Sequence, residues 1–94
     1  MYVKVIVPVH EPAETYEIFL MAPPDRSFKK TVSNPPVHDR ERGEMYFIVD
    51  VPFFPLWGGV NAVYKTGEKK RFTGREVRFE EAKPEEVKAY PHPP

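Results

Sequence analysis

A chain of 94 residues has room for one domain and excludes both a second domain and a deep enclosed cavity, because a core of this size buries only about 60–65% of the surface the unfolded chain exposes. An apolar share of 40% with 14% aromatics excludes intrinsic disorder, and 14 Lys/Arg against 14 Asp/Glu leave no overall field to draw the protein to DNA or to an acidic membrane. The absence of cysteine excludes disulfides, thiolate nucleophiles and cysteine-held zinc. It suits a reducing compartment, a thermophilic source or a virus particle equally.

The first segment alternates Val3, Val5, Val7 and Val9 with Tyr2, Lys4, Ile6 and Pro8, which predicts a strand with the valines inward. The opening run is too short for a membrane span and is stopped by Pro8. It also lacks the basic start and small-residue cleavage site of a signal peptide, so the expected location is cytoplasmic or within a virus particle, without an export signal. Thr15 to Ala22 predicts a second strand, ended by Pro23-Pro24-Asp25. Arg26 to Ser33 predicts a third and weaker one, with Phe28, Lys30 and Val32 on one face. Its central lysine marks an edge strand, where charge discourages stray pairing.

Asn34 to Gly43 is polar, charged and without apolar period, and is expected to be a loop. Glu44 to Val51 follows, with Met45, Phe47, Val49 and Val51 on one face and Tyr46, Ile48 and Asp50 on the other. Both faces are largely apolar, which predicts a central strand covered on both sides. Phe53 to Gly59 carries Pro55, Gly58 and Gly59 and is expected to be irregular backbone. Val60 to Lys65 and Lys70 to Thr73 predict a hairpin around Thr66-Gly67-Glu68-Lys69, with Gly67 at positive φ. Gly74 marks a bulge or turn, and Arg75 to Glu81 resumes alternation. Pro84 to Tyr90 predicts one or two helical turns with Pro84 in the first position and acids at the positive end of the dipole. Residues 91–94 are expected to form an extended tail.

Proline punctuates this pattern. Twelve prolines exceed the usual ~5% more than twofold, and each removes a ladder donor or breaks a helix. The expected architecture is therefore all-β: a single domain over residues 1–90, built as a small antiparallel β-sandwich or partly open barrel of six to seven short strands. At most one short helical turn closes it. No segment is long enough to cross between parallel strands.

Catalytic and metal chemistry find little support. His38-Asp39-Arg40-Glu41-Arg42 has suitable residue types, but its arginines would pair with the carboxylates and repel a cation. His10, His38 and His92 fall in separate segments without the helical spacing of zinc ligands. Asp50, alone among apolar strand residues, has the setting of a shifted, catalytic carboxylate, but such a residue more often simply faces water near a strand's end. Ser27 and Ser33 lack a strand-to-helix elbow, and no helix follows Gly58-Gly59 or Gly67 to cradle a phosphate. The expectation is a non-enzymatic protein with no catalytic residue, metal or cofactor.

Two features point to binding. In Phe53-Phe54-Pro55-Leu56-Trp57, four large apolar side chains would forgo about 6–12 kcal/mol if left wet, as much as a domain's whole stability. Phe53, Phe54, Leu56 and Trp57 therefore either plug the sandwich from below or are covered by a protein partner or a second copy, with Trp57 as the anchor. The expected function is a structural or accessory subunit that docks through this turn and through exposed β edges. The alternative is a single-stranded nucleic-acid module using the basic hairpin over 64–78, in which Lys69, Lys70, Arg71, Arg75 and Arg78 lie among aromatics. Alternation sets Lys70 and Phe72 on one face and Lys69, Arg71 and Thr73 on the other, so a core-facing Phe72 would not stack on a base.

Overall fold

The computed structural model describes residues 1–33 and 36–90; Asn34, Pro35 and the expected tail at 91–94 with His92 lie outside them. The described residues form eight strands: β1 (Tyr2–Pro8), β2 (Thr15–Ala22), β3 (Arg26–Val32), β4 (Val37–Asp39), β5 (Glu44–Asp50), β6 (Trp57–Val63), β7 (Lys69–Thr73) and β8 (Arg78–Glu81). One helix, α1 (Pro84–Ala89), follows. The strands build two four-stranded sheets in the orders β4-β5-β1-β8 and β3-β2-β6-β7, with every pairing antiparallel. This is the expected all-β sandwich, two sheets packed face to face over one core, with eight strands rather than the six or seven expected.

Three local expectations are corrected. The segment read as loop contains β4, because Val37–Asp39 pairs with Tyr46, Met45 and Glu44 of β5 and long-range ladder bonds outweigh its polar composition. Val9 is not an inward residue: β1 stops at Pro8, which has no N–H to continue the ladder, and Val9 is exposed. The backbone of Trp57, Gly58 and Gly59 is not irregular but is the start of β6, in register with Met21, Leu20 and Phe19. Gly67 (φ 89°) and Gly74 (φ 61°) adopt the left-handed region. The first closes the β6–β7 hairpin; the second opens a 3-10 turn, Gly74–Glu76, that carries the chain from one sheet to the other.

The core lies between the sheets. Val3, Val5 and Val7 of β1 and Met45, Phe47 and Val49 of β5 face Tyr16, Ile18 and Leu20 of β2, Val60 and Ala62 of β6, and Phe72 of β7. The ring of Phe47 meets that of Tyr16 at 4.9 Å across the sandwich. The outward face of the first sheet is covered by α1. Lys4 Nζ lies 2.8 Å from Glu86 Oε2 and 4.3 Å from the Tyr46 ring centroid, while Ile6, Ile48 and Tyr90 are buried there. The Lys4 hydrogen bond, followed by that from the Lys83 backbone, holds the Glu86 carboxyl below its ordinary range.

One end of the core is closed by His10, whose ring sits 4.8 Å from Phe72 and 5.6 Å from Tyr16. Its Nδ1 lies 2.6 Å from the Glu11 carbonyl oxygen, while Nε2 is buried with no hydrogen-bond partner among the described residues. Burial first, then the charges of Lys70 and His38, hold its pKa below the ordinary 6.5 against the Glu11 bond. Below pH 6.5 the unfolded chain therefore takes up a proton that the folded chain refuses. Stability is full above that pH and falls as the pH drops through the folded-state value. Thermal melts of wild type between pH 7 and 5 are expected to shift downward. The same melts of His10→Phe, which keeps the ring contacts, should be flatter; equal slopes would show that His10 does not govern this window.

Candidate functional site: an open sheet face beside the aromatic turn

The outward face of the second sheet has no helix over it among the described residues. The alternation of β2 decides what it shows: Tyr16, Ile18, Leu20 and Ala22 are buried, so Glu17, Phe19 and Met21 point outward. Register then sets their neighbours. Phe19 lies between Lys29 and Gly59, Glu17 between Thr31 and Asn61, and Met21 between Ser27 and Trp57, with Arg71 next to Asn61. Apart from Gly59 and Trp57, these residues line an open groove of about 410 Å³, and Trp57 adjoins it as the register partner of Met21.

Gly59 gives this face its shape. A Cβ there would lie 2.5 Å from Phe19 Cζ and 2.8 Å from Thr73 Cγ2, so the Phe19 ring occupies the space that a side chain on β6 would fill. The Arg71 guanidinium sits 5.5 Å from the Phe19 ring centroid, and its Nε donates to Asn61 Oδ1 at 3.1 Å. Asn61 Nδ2 donates to Glu17 Oε1 at 3.4 Å, and Lys69 Nζ pairs with the same oxygen at 3.2 Å. The Lys69 hydrogen bond and charge lower the Glu17 pKa.

Charge divides between the sheets. The strands of the second sheet carry Arg26, Lys29, Lys30, Lys69, Lys70 and Arg71 against Glu17 alone. The strands of the first carry Lys4 and Arg78 against Asp39, Glu44, Asp50, Glu80 and Glu81. Many of those acids are matched internally, Arg78 by Glu44 and Glu80 and Asp50 by the N-terminal amine. Of the six cations on the second sheet, only Lys69 has a carboxylate partner among the described residues. Register puts three of them, Lys29, Lys69 and Arg71, on the outward face with Glu17, while Arg26, Lys30 and Lys70 belong to the other alternating set.

The five basic residues assigned to one nucleic-acid surface do not form one. Lys69 and Arg71 point outward on the open face. Lys70 turns to the other side of β7, 5.3 Å from the centroid of the core ring of Phe72, which is buried and presents no platform. Arg75 lies in the turn between sheets, and Arg78 belongs to the other sheet, paired with Glu44. The strand's two-residue period and the crossover at Gly74 separate them.

The aromatic turn is divided as well. Val51, Phe53 and Pro55 are buried, while Pro52, Phe54 and Leu56 are exposed, so a two-residue alternation runs through it. Phe53, 4% exposed and under the Arg26 guanidinium, is a plug and leaves the candidate interface. Phe54, Leu56 and Trp57 remain 41%, 64% and 48% exposed. The Leu56 N–H donates to the Met21 carbonyl at 3.0 Å, which fixes the turn against the end of β2.

Sequence reasoning missed Phe19, Met21, Lys29 and Asn61. The available signal was Glu17, the one charge in β2, which marks its own alternating set as outward. Among the described residues no three His, Asp or Glu side chains gather as a metal site, and no helix is long and apolar enough to cross a membrane. No family model, curated protein or solved structure matches the chain.

Proposed function

We infer that this is a non-enzymatic docking domain, a structural or accessory subunit that assembles with protein by burying Phe54, Leu56 and Trp57. One observation carries the reading: three large apolar side chains in four consecutive residues are half-wet while their neighbours Phe53 and Pro55 are core. Covering the exposed fractions would return about 2–5 kcal/mol, and a central tryptophan with apolar neighbours is the composition of an interface hot spot. The turn is also held in place before any partner arrives, by the bond from Leu56 to Met21, so little ordering cost opposes docking.

Edge pairing has less in its favour than the turn. The edges of the first sheet are three and four residues long, and those of the second carry three cations each and no acid. Both are devices that discourage strand addition.

Sedimentation velocity of wild type and of the Phe54→Ser/Leu56→Ser/Trp57→Ser variant tests the proposal. Wild type should associate between micromolar and millimolar concentration, with its tryptophan emission moving to the blue. The variant should stay at 11.0 kDa with an unchanged far-UV spectrum. A wild type that remains a monomer of wet-indole emission throughout would remove self-assembly through this turn.

A further inference from the structure

We propose that the open face of the β3-β2-β6-β7 sheet binds single-stranded nucleic acid, with Phe19 as a stacking platform and Lys29 and Arg71 as phosphate contacts. This goes beyond docking through the turn and uses a different surface.

Charge complementarity selects a polyanion. Lys29 and the terminal nitrogens of Arg71 have no acidic partner among the described residues, and they flank Phe19 from β3 and β7. Two strand spacings, about 10 Å, separate β2 from β7, so a ligand spanning the groove meets cation, ring and cation in turn. The one carboxylate present, Glu17, is already engaged by Lys69 and Asn61 and offers little repulsion.

The ring selects among polyanions. The tip of the Phe19 ring reaches over Gly59 because no Cβ intervenes, and the ring lines the groove with the Arg71 guanidinium over it, 5.5 Å from its centroid; a stacked base takes the place of that guanidinium, which turns to the phosphates. An acidic peptide or polyphosphate would use the cations but gain nothing from a flat aromatic surface. A single strand uses both, since unstacked bases lie on aromatic faces while the backbone follows the positive groove. Asn61, Ser27 and Thr31 line the same groove and supply neutral donors and acceptors. A duplex, whose bases are already stacked, would not reach the ring.

The test is anisotropy of a dye-labelled oligothymidylate at low salt, with inorganic polyphosphate and polyglutamate as competitors. Binding should fall linearly with the logarithm of salt concentration, and Lys29→Gln and Arg71→Gln should each reduce that slope by about 0.7. Phe19→Ala should weaken binding about 5- to 150-fold. If that variant proves unstable, Phe19→Leu keeps apolar bulk without the ring and should still lose affinity. No binding at low salt overturns the proposal, as does equal displacement by polyphosphate, which would reduce the face to a charge patch. Tighter binding of polyglutamate would assign it to an acidic protein instead. Phe54→Ser/Leu56→Ser should leave oligonucleotide binding intact, and Lys29→Gln/Arg71→Gln should leave sedimentation unchanged, so either reading can fail without the other.

Discussion

Phe47→Ala is expected to cost about 3–5 kcal/mol of folding stability, the range for deleting a buried phenylalanine. Phe47 is fully buried in the middle of β5, opposite Val5, and it reaches across to Tyr16 of the other sheet. Tyr16 in turn accepts a hydrogen bond from the Ala13 N–H at 3.1 Å and touches the His10 ring. Removing the Phe47 ring therefore opens a cavity where the sheets are joined, and strands held by ladder bonds cannot collapse to fill it. A domain of this size holds about 5–14 kcal/mol in total, so the variant should be marginal at 37 °C. Urea unfolding followed by far-UV circular dichroism should show the midpoint falling steeply, with a smaller fall for Phe47→Leu. A midpoint unmoved by the alanine would mean that the sandwich is not organised around this contact.

Much of the architecture was legible because local and global signals agree. The valines of β1, the alternation of β5, the prolines between elements and Gly67 each state a local preference that the fold satisfies. Lys30 is the clearer case, since a cation on the inward side of β3 fits only an edge strand, and β3 is one. What was illegible depends on pairing. In β4 Val37, His38 and Asp39 are ordered by β5 alone. In β2 both alternating sets carry large apolar side chains, so period alone does not choose the buried side and only Thr15 and Glu17 point to it.

The proposed binding face was hidden for the same reason. Phe19, Lys29, Asn61 and Arg71 come from four strands and meet only through register, whereas the basic cluster at 65–78 is contiguous in sequence and is scattered by the fold. Trp57 shows both effects. The apolar run singles it out as plug or anchor without choosing between them, and its position beside Met21, adjoining the open face, follows from β6 starting three residues earlier than its glycines suggest.

Those glycines carry the second large effect. Gly58→Ala and Gly59→Ala should each destabilise the protein by about 1–3 kcal/mol, the usual cost of forcing atoms into filled space. At Gly58 the new Cβ would stand 2.4 Å from the Phe19 carbonyl oxygen and 3.0 Å from Leu20 Cδ2. The first of these is backbone, so β2 and β6 must separate, and this substitution should be the more costly. At Gly59 the nearest atom is Phe19 Cζ, a ring that can swing away, but the Phe72 carbonyl oxygen at 2.7 Å cannot. The two contacts are separable by a double-mutant cycle with Phe19→Ala. Gly59→Ala should cost less in that background than in wild type, by the part owed to the ring, and should keep the remainder owed to the backbone. Purely additive losses in thermal or urea unfolding would mean that the ring does not rest on β6. The flat surface on which the nucleic-acid reading depends would then be absent.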